Sequence, residues 1–166
     1  FGALYRRTGR QWALTLAITG GMFAYHMAVR FLAPVLLTAF TRRRYDCRSR
    51  WFRPKPWEAR LYEALGVKNW KKRALTYQPR EFSLAAHTPE EVVSNTCHAE
   101  AVHELSILLG ALSLLFAIPF GSFWAFFATA LLSALLDGAA VAIQRYNRPR
   151  LLRLAERRSR RYSQRS

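Results

Sequence analysis

Between Gln11 and Phe40 the chain reads "QWALTLAITGGMFAYHMAVRFLAPVLLTAF", thirty residues in which Arg30 is the sole formal charge. A helix of about 20 such residues crosses the hydrocarbon core of a bilayer. A second apolar block runs from Leu105 to Ile143, broken near "PFGSF". The basic residues lie almost entirely between and beyond these blocks. That segregation has an energetic cause, since a charge at mid-bilayer costs at least ~2.5–3.5 kcal/mol. A chain that is 51% hydrophobic and formally +16 therefore reads as an all-α integral membrane protein. A nucleic-acid-binding protein reaches a similar pI, about 11.2, but does not carry long runs nearly free of charge.

The predicted organisation is a single membrane domain over residues 1–166. It has a first membrane helix over 11–40, a basic interfacial segment over 41–87, a helical hairpin over 88–118 and 122–147, and a basic tail over 148–166. The first apolar run is too long for a signal peptide and lacks an A-x-A-like cleavage site, so it is expected to be a retained membrane helix. Gly20-Gly21 permits close helix packing or a bend. His26 and Arg30, one turn apart, either let Arg30 snorkel to headgroups or turn a polar face to a site.

"TRRRYDCRSRWFRPKP" follows as a stop-transfer segment and argues for a cytoplasmic loop and tail in a multi-pass cell-membrane protein, although Arg6, Arg7 and Arg10 also flank the first helix. In "PWEARLYEALG", Pro56 suits a first turn and Gly66 a C-cap. Trp57, Leu61, Ala64 and Leu65 share one face, as in an amphipathic interfacial helix. Trp70 then sits at headgroup depth, and Lys71, Lys72 and Arg73 meet anionic lipid. Thr88, Pro89 and Glu91 make a capping box, with no helix breaker expected before Pro119. Leu105 to Ile118 covers only about 21 Å at ~1.5 Å per residue, so this arm spans only if His103 lies near the interface. Pro149 disfavours helix at Arg148. The last membrane helix is thus expected to end near Asn147, with Leu151, Leu152, Leu154 and Ala155 on a separate surface helix. Cys47 and Cys97 lack metal-finger spacing; they either pair in a disulfide or, the plainer reading, stand as two unpaired thiols.

Three features carry candidate chemistry. Glu100 and His103, at i and i+3, set a carboxylate beside an imidazole, the arrangement of an oriented general base. The same spacing serves metal bundles only in two copies; a surface salt bridge is its plain alternative. No metal or cofactor is called for. Asp137, in "LLDGAAVAI", is an ionisable group inside an apolar segment, and so either a site residue or a polar lock between helices. In "QRYNRPRL", Gln144 to Leu151, Arg145, Arg148 and Arg150 suit forked hydrogen bonds to phosphate or carboxylate.

"QRYNRPRL" closely resembles the C-terminal signature of the glycosyl-4,4'-diaponeurosporenoate acyltransferase family. "AEAVHELSIL" is similar to that family's Ala-Glu-x-x-His-x-x-Ser-Ile-Leu segment at Ala99, Glu100, His103, Ser106, Ile107 and Leu108. "VKNWKKRAL" matches its Val-x-Lys-Trp-Lys stretch at Val67, Trp70 and Lys71. The resemblance implies a membrane-bound acyltransferase that moves a fatty acyl chain from an acyl donor to a sugar hydroxyl of a glycosylated carotenoid or similar glycolipid, toward staphyloxanthin-type pigments. His103 and Glu100 carry over as matched positions, and their chemistry, rather than the signature, makes His103 the general base and Glu100 its partner. Arg145 and Arg148 hold donor or oxyanion charge, and Asn147 donates to the same oxygen. Trp70, Lys71 and Asp137 complete the substrate-binding set, and Trp57 holds acceptor or lipid surface. The alternative is a non-catalytic subunit of a larger membrane complex, such as a pigment-holding one, with other membrane subunits and lipids as partners.

Overall fold

The computed structural model describes residues 9, 11–42, 45–73 and 79–164. The basic residues Arg6, Arg7, Arg10, Arg43 and Arg44 lie outside the described residues. Helix α1 runs Gln11–Thr41, α2 Glu58–Ala64, α3 Val67–Trp70 and α4 Pro89–Leu112. Two 3-10 turns, Lys71–Arg73 and Pro79–Phe82, stand between α3 and α4. A third, Ser113–Phe116, leads to α5, Ala117–Phe120, and α6 spans Phe123–Ser163. Among the described residues there is no strand, so the all-α expectation holds. Three stretches are long and apolar enough to cross a membrane: Gln11–Thr41, Pro89–Phe120 and Phe123–Arg161.

Local chemistry sets the element ends. At the start of α4 the Thr88 N–H donates to Glu91 Oε2 at 2.7 Å, and the Glu91 N–H returns to Thr88 Oγ1 at 3.3 Å. This is the expected capping box, satisfying two donors that the first turn leaves free. Gly66 sits at φ 61°, where a side chain would be strained, and closes α2. The break between the apolar arms falls at Gly121 (φ 64°) and Ser122 (φ 53°). Pro119 is accommodated in α5.

The sequence expectation fails at the other proline. α6 does not stop near Asn147 but continues through Pro149 to Ser163, so there is no separate surface helix. Pro149 withdraws the N–H that would reach the Arg145 carbonyl, a defect of ~3 kcal/mol in an isolated helix. The arginines on its N-terminal side are anchored by tertiary contacts, which override that local preference.

The chain divides into two compact units, Phe1–Leu36 with Val102–Gly138 and Leu37–Ala101 with Ala139–Ser166. The first is inside-out relative to a water-soluble fold. Ile118 is 82% and Trp124 75% exposed, and Phe23, Phe31, Val35, Leu132, Leu135 and Leu136 also face outward. Its buried residues include His26, Ser106, Ser113, Ser133 and Asp137, beside a small core of Ile18, Met22 and Phe126. Apolar side chains outward and polar ones inward is the arrangement lipid favours. The second unit holds the basic segment, the first half of α4 and the last part of α6. In it α2 buries Glu58 and Tyr62 and leaves Trp57, Leu61 and Leu65 exposed, an apolar face free to lie in an interface.

Candidate functional site

In the first unit, α1, α4 and α6 each supply one charged or titratable group to a cluster around Asp137. Asp137 is 2% exposed. Its Oδ1 lies 2.9 Å from His103 Nδ1. Its Oδ2 accepts from Arg30 Nη2 at 3.1 Å and from the Ser133 hydroxyl at 3.4 Å. Ser133 stands one turn before Asp137 on α6, so one element presents both acceptor and donor. A carboxylate so deeply buried is tolerated because each of its oxygens has a polar partner.

The consequence for His103 is a fixed ring. In the tautomer that places its proton on Nδ1, the ring donates to Asp137 and Nε2 keeps its lone pair. The His103 side chain is 31% exposed while its carboxylate partner is sealed. The carboxylate against this imidazole is therefore Asp137, thirty-four positions away, where the sequence spacing pointed to Glu100. Arg30 likewise turns to Asp137 rather than to headgroups. His26, one turn before Arg30, is buried against Gly110; a Cβ added there would lie 3.4 Å from His26 Cε1. Among the described residues, neither His26 ring nitrogen has a hydrogen-bond partner.

The second unit contains a separate buried ion network. Glu100 Oε1 accepts from Arg145 Nε at 2.7 Å, and Glu100 Oε2 pairs with Arg148 Nη2. Arg145 also donates through Nη1 to Glu58 Oε1 at 2.5 Å and through Nη2 to the Trp51 carbonyl at 2.7 Å. Arg148, 0% exposed, donates to the carbonyls of Phe52 at 3.0 Å and Thr96 at 3.2 Å. The signature arginines expected to meet substrate charge are thus occupied by protein acceptors. Glu58 was not legible as their partner, since it sits on the polar side of an amphipathic helix. Burial, and then the Glu58 carboxylate beside it, push the Tyr62 hydroxyl up to about 12.

Beside this network, Lys71 Nζ donates to Asn147 Oδ1 at 2.6 Å and lies 4.4 Å from the centre of the Tyr146 ring. Trp70 Nε1 donates to the Leu65 carbonyl at 3.0 Å, closing the α2–α3 turn. Cys47 and Cys97 form a disulfide, with Cα atoms 6.1 Å apart, where the sequence favoured unpaired thiols over that pairing. Their fifty-residue separation hides that the segment after α1 packs on α4.

A positioned His–Asp pair with a partly exposed imidazole, in a unit whose surface is apolar, suits proton transfer at a lipid-borne group. Comparison with known proteins bears on the class of reaction. No curated protein and no solved structure matches the chain. The family model described as glycosyl-4,4'-diaponeurosporenoate acyltransferase matches residues 48–157, which include Glu58, Lys71, Glu100, His103, Asp137, Arg145 and Arg148. That range is more than half of the chain, which therefore belongs to the glycosyl-4,4'-diaponeurosporenoate acyltransferase family.

Proposed function

We propose that the protein transfers a fatty acyl chain to a sugar hydroxyl of a glycosylated carotenoid at the cell membrane, with His103 as general base and Asp137 as its positioning residue. The observation that carries this reading is the 2.9 Å contact between His103 Nδ1 and a carboxylate 2% exposed. His103 Nε2 takes the proton of the attacking hydroxyl as the C–O bond forms to the acyl carbonyl. The imidazolium is stabilised by Asp137, itself held by Arg30 and Ser133. On collapse of the tetrahedral intermediate the bond to the leaving group breaks, and the same nitrogen returns the proton to it. One ester or thioester is consumed and one ester made, so no oxidant or metal enters the balance.

In this mechanism Glu100, Arg145 and Arg148 act by holding the fold of their unit rather than by meeting substrate. Asn147 supports the reading through Lys71 rather than as an oxyanion donor. The basic loop and tail are assigned to the cytoplasmic face by the positive-inside rule. The test is mass spectrometry of carotenoids from pigment-forming cells carrying the wild-type chain or His103→Ala. The wild type should yield the acylated glycoside. The variant, present in membranes at the same level, should accumulate the unacylated glycoside; equal acylation by both would overturn the reading.

A further inference from the structure

Along α6 the cationic residues fall into two groups. Arg145 and Arg148 turn to Glu58 and Glu100 and are neutralised. Arg150, two positions on, is exposed. The half-buried Lys71, at the end of α3, meets the same stretch of helix through Asn147 and Tyr146. Lys72 and Arg150 both act on the Lys71 ammonium, and among the described residues no carboxylate pairs with any of the three. Burial first, then Arg150 and Lys72, pull Lys71 below the ordinary lysine value. Gathering like charges beside a half-buried ammonium costs free energy unless a counter-charge arrives. The hydrogen bonds point the same way. An ammonium has three donors, and one is used on Asn147. Asn147, accepting through Oδ1, keeps its amide N–H groups for another acceptor.

We propose that Lys71, Lys72, Asn147 and Arg150 form a phosphate subsite for the acyl donor. The proposal rests on the acyl-transfer reading and gives the donor's class: an activated acyl chain that carries phosphate, with the group received by two or three cations and one amide. A guanidinium offers a fork to two phosphate oxygens, and an ammonium a point charge to a third. The Tyr146 ring under Lys71 holds the ammonium in place before the anion binds. Two kinds of donor share this chemistry, a nucleotide-type thioester and a phospholipid ester.

Calorimetric titration of the full chain in dodecyl maltoside micelles, which contain no phosphate, separates them. Coenzyme A represents the first source and dihexanoyl phosphatidylglycerol the second. Binding of coenzyme A alone assigns the subsite to a thioester donor, and binding of the lipid alone to a phospholipid donor. Lys71→Gln combined with Arg150→Gln should weaken the bound probe roughly 10- to 100-fold, as loss of charged hydrogen bonds implies. Lys71→Arg should bind as the wild type. Arg150→Gln alone, at an exposed position, provides a folded variant that should weaken binding in its own right. No binding of either probe, or wild-type affinity in the double variant, overturns the proposal. His103→Ala should bind the probe normally. If that variant still transfers acyl chains, the general-base reading fails while the phosphate subsite stands.

Discussion

At the residue scale, the same kind of residue takes opposite roles according to its neighbours. Arg148 is 0% exposed, pairs with the Glu100 carboxylate and donates to Thr96 and Phe52. Removing one member of such a network leaves a buried charge uncompensated, at a cost of ~3–5 kcal/mol. Arg148→Met should therefore lower the thermal unfolding midpoint in detergent markedly. Arg148→Lys should not restore it, because one ammonium cannot reproduce a planar fork. Arg153→Met, at an exposed position on the same helix, should change stability by no more than ~0.5 kcal/mol. Equal midpoints for Arg148→Met and Arg153→Met would contradict this account of the network. Asp137 differs from Glu100 in what it holds. Glu100 faces two arginines, whereas Asp137 faces an arginine and a partly exposed imidazole, and only the second arrangement leaves a base available.

At the element scale, apolar segregation made the three long helices legible, and the Thr88–Glu91 capping box and the αL glycine at 66 marked ends from local chemistry alone. The continuation of α6 was not legible. Pro149 is a strong local stop signal, and what overrides it is the anchoring of Arg145 and Arg148 by residues 45 or more positions away. The same helix end carries arginines on which the proposed orientation rests. Charge near membrane helix ends acts during insertion, whereas a disulfide persists only in an oxidising compartment. The proposed cytoplasmic assignment and the Cys47–Cys97 disulfide therefore make opposite demands on the compartment. The proposed cytoplasmic assignment predicts that Ser163→Cys, in a Cys47→Ser and Cys97→Ser background, reacts with a membrane-impermeant maleimide only after permeabilisation. Labelling in intact cells would place the tail outside and favour a standing disulfide.

At the scale of the whole molecule, the sequence made the fold class and the family resemblance readable, and His103 and Asp137 could each be singled out. Their pairing could not, because thirty-four residues and a turn separate them. Helical spacing instead favoured Glu100, which the fold commits to Arg145 and Arg148. Local periodicity finds neighbours on one helix; the catalytic proposal depends on neighbours from three. Arg30 lies ahead of the family-matched range yet holds the same carboxylate. The central claim is that Asp137 orients His103 for acyl transfer. The direct test is the acyl-transfer rate of the purified full chain for the wild type, Asp137→Asn and His103→Ala. His103→Ala should fall to background. Asp137→Asn should lose roughly 100-fold or more in kcat, on the scale general-base catalysis contributes. An Asp137→Asn enzyme with the wild-type rate would contradict the claim.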